Sequence, residues 1–285
     1  MKNRKQTQPR LWGTLHPFFE SGDIMGRSVA NTGFLRALLL ADPYEAYHFF
    51  LPDIKACAVM EQSLQKDFPA LWERGALEVM PVALLPRTIA ARPYHCFHLS
   101  DCVRQFAPLC RLRNFMAANL FAITGTTHTL SYARYSADFL GHVWAGTTPR
   151  DAVIATSTAG RDVMRAYYHS LRESFSLGPA FQEPRVCRIP LGTDIPDSAL
   201  LPKLRADMRE QLKLGPHDIA LLALGRFSHY SKMDLIPLLR AIHLAALESF
   251  CGAGALALEN ATHGAHFGFA DTADLGKPVD LSRIR

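Results

Sequence analysis

Leu221-Leu-Ala-Leu-Gly-Arg-Phe-Ser-His-Tyr-Ser-Lys-Met-Asp-Leu235 is an apolar run that ends in glycine and presents Arg226 at once. Lys232 follows six residues later, and Asp234 then suits the cap of a new helix. This is the pattern of a strand delivering two cations to the carboxyl edge of a parallel sheet, where α/β proteins bind ligands. Arginine makes two parallel hydrogen bonds to phosphate oxygens and lysine supplies a point charge, so the pair suits a diphosphate. A surface arginine and lysine flanking an ordinary loop is the plainer alternative. Their placement between a strand and a capped helix favours the ligand.

Upstream, strand-like and helix-like segments alternate. Strands are expected at residues 11–16, 46–51, 77–83, 94–99, 119–124, 151–156 and 185–190. Helical apolar spacing falls between them. Val29, Phe34, Leu35, Leu38 and Leu39 mark the first helix, and residues 56–68, 101–113, 131–142 and 159–172 supply the others. Strands separated by helices imply a parallel sheet with helices on both faces, hence a doubly wound α/β fold. Gly, Pro and Asp cluster in Leu191-Gly-Thr-Asp-Ile-Pro-Asp-Ser198, as in a linker. The expected domains are therefore 1–196 and 197–285.

The second domain starts as another α/β unit. Leu204, Met208 and Leu212 mark one face of a helix that Gly215-Pro216 ends. A strand is expected at 219–224. After Asp234, a helix with Pro237 in its first turn carries a stripe of Leu235, Leu238, Leu239, Ile242 and Ala246, expected to be buried. Only 37 residues follow Glu248, rich in Gly and Ala and weakly periodic. The expectation is an incomplete second Rossmann-like domain, truncated at its C-terminal side; a small, complete lid of unusual sequence is the alternative.

Composition narrows the class. The 285 residues are 48% hydrophobic and 20% charged, enough for a real core. The net charge of +5 is mild and sits partly in the first ten residues, a solvated tail that could also touch anionic lipid. The same basic tail could touch RNA, but the solvated reading is preferred and no nucleic-acid partner is expected. Six scattered cysteines without a C-x-x-C pair read as reduced core residues of a cytoplasmic protein. No apolar stretch approaches the ~18 residues of a membrane span, and no secretory signal is visible.

Further candidates lie at strand ends. His128, in Ile123-Thr-Gly-Thr-Thr-His-Thr-Leu-Ser-Tyr132, follows the fifth strand in a polar loop; a structural histidine is the alternative. Gly22 and Gly26 occupy the first strand-to-helix loop, with Asp23, Arg27 and Asn31 nearby. A helix N-terminus there can meet an anion, or the glycines are turn residues. His95, Cys96, His98, Asp101 and Cys102 have no standard metal spacing. His95 and His98 also point to opposite faces of a strand, so no metal site is expected. D-x-D, G-x-S-x-G and P-loop patterns are missing from the chain.

Three of these segments, in order, resemble the retaining two-Rossmann-domain glycosyltransferases of family four, the glycogen-synthase-like group. They are the first loop into Gly26-Arg-Ser-Val-Ala-Asn31, then Thr126-Thr-His-Thr-Leu-Ser-Tyr132 with Asp151-Ala-Val-Ile-Ala-Thr-Ser157, then Ile189-Pro-Leu-Gly-Thr-Asp194 with Leu224-Gly-Arg-Phe-Ser and Lys232-Met-Asp-Leu235. The similarity covers about residues 11–248. It implies a GT-B-like architecture and transfer of a hexose, with retention, from a nucleotide-diphosphate sugar to a carbohydrate or lipid-linked acceptor. No further cofactor and no metal are implied. The resemblance assigns the donor diphosphate to Arg226 and Lys232, the donor sugar to His128, and the donor and acceptor loop to Gly26 and Asn31.

Two departures stand out. Arg226 and Lys232 are six apart where five is commoner, and the family's acidic motif near the donor has no counterpart, since Glu259 stands alone. The alternatives are a truncated transferase inactive as the chain stands, with little donor affinity, a non-catalytic fragment or weak binding module of the same architecture, and an epimerase or phosphorylase built on it.

Overall fold

The computed structural model describes residues 10–19, 26–144, 146–193, 195, 197–216, 218, 220 and 236–251. The first unit runs to Thr193 and the second begins at Asp194. Arg226 and Lys232, Gly22 and Asp23, and the expected strand at 219–224 apart from Ala220 lie outside the described residues.

Seven strands make one sheet: β1 (Leu11–Thr14), β2 (Ala46–Leu51), β3 (Leu77–Pro81), β4 (Tyr94–Leu99), β5 (Ala122–Thr126), β6 (Ala152–Ala155) and β7 (Arg185–Arg188). Their order is β3-β2-β1-β4-β5-β6-β7, and every pairing is parallel. Helices α1 (Gly26–Ala41), α2 (Ile54–Asp67), α3 (Pro69–Glu73), α4 (Leu85–Ala91), α5 (Phe106–Met116), α6 (Tyr135–Trp144) and α7 (Thr158–Ser174) connect them. This is an α/β, Rossmann-like fold.

Alternation along the strands builds two cores. Leu11 and Phe50 join one cluster with Ile89, Phe106, Phe139 and Met164, from α4 to α7. Their chain neighbours Trp12, Phe49 and Leu51 join the other, with Leu35 and Leu39 of α1 and Met60 and Leu64 of α2. Successive strand residues point to opposite faces, so the two clusters are the two sides of one sheet. Glycine is needed where the layers crowd. A Cβ on Gly13 of β1 would lie 2.4 Å from the Phe97 ring of β4.

Some expected boundaries move for local reasons. Residues 101–105 are not helical, because the Asp101 carboxylate accepts the Val103 N–H at 2.7 Å and holds an Asx turn. The expected start at Ser131 likewise moves to Tyr135. The fifth strand starts at Ala122 rather than 119, because Asn119 turns the chain: its carbonyl accepts the Phe121 N–H and its amide donates to Tyr94 O. Helix α4 was not expected. Pro86 sits in its first turn, a position that needs no N–H donor.

The second unit contains α8 (Leu201–Gln211) and α9 (Ile236–Cys251). Leu204, Met208 and Leu212 are exposed among the described residues. Of the stripe expected to be buried on α9, Leu238 is exposed and Leu239 and Ile242 are half-buried. Among the described residues no helix is long and apolar enough to cross a membrane.

Candidate functional site

The sheet order reverses between β1 and β4. The chain leaves β1 toward one face and β4 toward the other, so the loops beyond their carboxyl ends part and leave a crevice. A cleft of about 350 Å³ lies there, lined by His16 after β1, Arg27 in the first turn of α1, Asp101, Arg104 and Gln105 after β4, and Arg134 before α6.

The loop after β4 is fixed from several sides. The buried Ser100 donates its backbone N–H to His16 Nδ1 at 3.0 Å, and its hydroxyl oxygen lies 2.9 Å from the same nitrogen. His128 Nε2–H donates to Ser100 O at 2.7 Å. One residue thus ties the loops after β1 and β5 to the loop after β4. Because His16 Nδ1 accepts the Ser100 N–H, the proton of the neutral ring sits on Nε2. Ser100 is buried, so this pair is a clamp rather than an exposed nucleophile.

The next residue is held as tightly. The Cys102 N–H donates to Thr126 O at 3.0 Å, and Cys102 O accepts from Nε2 of the buried His142 at 2.9 Å. Gly125 makes room for this approach: a Cβ there would fall 2.9 Å from the Cys102 backbone. Asp101, Val103 and Arg104 therefore stand on a preset backbone.

The His128 loop is anchored next to it. The Thr127 N–H donates to Ile154 O of β6, and the Thr127 hydroxyl accepts the Thr156 N–H at 3.4 Å. His128 is half-buried and is not among the residues lining the cleft. Gly26 is the first residue of α1, and a Cβ added there meets no atom within 4 Å. Packing among the described residues does not demand a glycine at this position. Asn31 is buried one turn further along α1. His128 and the residues around Gly26 thus share the carboxyl edge.

Sequence reading missed His16, Ser100, Arg104 and Arg134. A usable signal existed for the arginines. Arg27, Arg104 and Arg134 each stand at or just before a helix start, where the helix dipole favours an anion rather than a cation. His95 is exposed and His98 is buried on β4, as their spacing required. His98 Nδ1 lies 2.8 Å from Thr124 Oγ1, and its ring packs on Phe34. Burial pushes the Cys96 thiol up to about 11 and the Cys110 thiol up to about 12. A larger cavity of about 470 Å³ lies between α7 and the start of β7, at the other edge of the sheet. Its Arg172 is already paired with Glu183 and with backbone carbonyls.

Three buried histidines make the fold acid-sensitive. Burial pushes the pKa of His98 down to about 3, helped by nearby His16 and His128. Burial likewise pushes His142, and His48 with Arg92 beside it, down to about 4. All three lie below the unfolded value of about 6.5, so the unfolded chain binds more protons between those limits. Their stabilising contribution is full above pH 6.5 and drains away as pH falls toward 4 and then 3. Urea unfolding between pH 8 and 4.5 should show a plateau above pH 7 and a decline below pH 6. Replacing His142 by Gln should reduce that slope by up to one proton. A stability unchanged from pH 7 to pH 5 contradicts this account.

No protein-family model matches the chain, and no curated protein matches it.

Proposed function

We propose that this chain is a GT-B-like glycosyltransferase that moves a hexose from a nucleotide-diphosphate sugar to a carbohydrate or lipid-linked acceptor. The observation that carries the reading is the cleft at the β1–β4 crevice, built on a loop that His16 and His128 clamp through Ser100. Sugar transfer needs a preorganised polar edge that positions two substrates before any bond changes. In this reading the first unit takes the acceptor. Arg226 and Lys232 hold the donor diphosphate, whose negative charge grows as the sugar–phosphate bond breaks. His128 and the Gly26 loop approach the donor sugar.

The test uses the whole chain with uridine, guanosine and adenosine diphosphate hexoses. Release of the nucleoside diphosphate is followed with and without added glycans and lipid-linked sugars. The expected result is acceptor-dependent release with one donor, lowered at least tenfold by Arg226→Ala and only partly restored by Arg226→Lys, because lysine lacks the guanidinium fork. Binding of a donor without turnover supports a non-catalytic binding module instead. Neither binding nor turnover across the panel sinks the transferase reading.

A further inference from the structure

At the amino edge of the sheet, away from the cleft, α5 ends in Phe115-Met-Ala-Ala-Asn-Leu120, which leads into β5. Phe115 is 88% exposed, and Met116 and Leu120 are exposed beside it in the chain. The packing of α5 does not use this ring: Phe106, Ala107, Leu109, Cys110 and Arg113 supply its buried side. Arg111 is exposed one turn before Phe115, so the two share the outer face of the helix. Arg150, ahead of β6, donates to Leu120 O at 3.2 Å and so stands against the same segment. A phenyl ring held out in water adds nothing to the core, and removing it from water is favourable.

The sequence around this segment is one-signed. From Val79 to Arg150 there are seven arginines and two acidic residues, Asp101 and Asp138. Both aspartates stand at the carboxyl edge, one after β4 and one in the first turn of α6. The stretch therefore brings no carboxylate to the amino edge. Among the described residues, Asp151 is buried against Arg113, Glu78 is paired with Arg92 and Glu183 with Arg172, while Glu45 precedes β2 on the far side of β1. Arg111 and Arg150 make no ion pair among the described residues. Arg10, which directly precedes β1, lies with Arg150 near His95 of β4, whose pKa falls first through partial burial and then through these two charges. Arg10 also joins this edge to a segment holding Lys2, Arg4 and Lys5 and no acidic residue.

We propose that this edge of the first unit is a docking surface for a membrane rich in anionic lipid. Phe115, Met116 and Leu120 enter the boundary between headgroups and acyl chains, and Arg111 and Arg150 face the lipid phosphates. A short apolar insertion or a few cations alone bind a membrane only marginally, whereas the two together add. A second copy of the chain fits this surface less well. A twofold contact uses the same patch on both partners, so the arginines would meet each other with no carboxylate from this stretch to neutralise them. The surface stands whatever reaction the cleft performs.

Co-sedimentation of the intact chain with vesicles tests this, using phosphatidylcholine alone and equal parts of phosphatidylcholine and phosphatidylglycerol. The chain should bind the anionic vesicles, and binding should fall as salt rises. Phe115→Ser should weaken it about tenfold, and Arg111→Glu about tenfold or more. Phe115→Trp should keep it, because tryptophan suits the membrane–water boundary. Since Phe115 is exposed, Phe115→Ser should leave the melting temperature unchanged, so a lost fold cannot imitate the result. Val59→Ser, exposed on α2 against the other face of the sheet, is the control and should change nothing. No binding to anionic vesicles, or binding indifferent to Phe115 and Arg111, overturns the proposal. Binding kept in Phe115→Ser but lost when Lys2, Arg4 and Lys5 are all changed to Glu assigns the contact to the N-terminal segment and overturns it as well. Dimerisation in sedimentation velocity that Phe115→Ser abolishes makes a second copy the occupant, with the same consequence.

Discussion

Replacing Asp151 with alanine is expected to destabilise the first unit by about 3–5 kcal/mol, the usual effect of breaking a buried ion pair by removing one partner. Arg113 and Asp151 both have fully buried side chains and meet at 2.6 Å. The carboxylate also accepts the Ile123 N–H at 2.8 Å and, on its other oxygen, the Thr148 N–H at 2.7 Å and the Thr148 hydroxyl at 3.1 Å. It therefore closes the amino ends of β5 and β6 while neutralising a guanidinium on α5. Alanine leaves that charge without a partner and two amide groups unsatisfied at once.

The pair is not a net source of stability merely because breaking it is harmful. Arg113 also donates to Phe121 O at 2.8 Å, so the network holds the chain just before β5. Arg113→Met combined with Asp151→Leu removes both charges together. It should recover much of the loss, because the desolvation penalty disappears with the attraction. Urea unfolding of the single and double variants measures this. A loss below about 1 kcal/mol for Asp151→Ala would place the pair among weak surface bridges.

Local pattern was most legible where punctuation agreed with it. β2 and β4 fall at 46–51 and 94–99 as expected from their apolar runs, the first stopped by Pro52. Periodicity cannot see a side chain that competes with the backbone. Asp101 took the Val103 N–H and delayed α5, and Asn119 turned the chain ahead of β5. Helix α4 went unread although Pro86 fits its first turn. The site divides in the same way. His128 was singled out because it follows a strand directly. The Ser100–His16 contact joins residues 84 apart and leaves no local trace. The arginines were visible as residues, yet only the topology gathers three helix starts around one cleft.

His128→Ala is expected to lower turnover about 10²–10³-fold, the usual effect of losing one contact made in the transition state. It should also lower stability by about 1 kcal/mol, because Ser100 O loses its donor. The two effects have different origins and can be separated. His128→Gln offers an amide N–H to the same carbonyl and should restore most of the melting temperature. It cannot reproduce the imidazole next to a donor sugar, so turnover should stay low, with kcat falling more than KM rises. If glutamine restores both, His128 acts only by propping the loop after β4, and the transferase reading must find its sugar contact elsewhere. If alanine lowers the melting temperature while the rate is unchanged, His128 belongs to the scaffold alone. Only a restored fold with a slow reaction agrees with a histidine that both clamps Ser100 and meets the substrate.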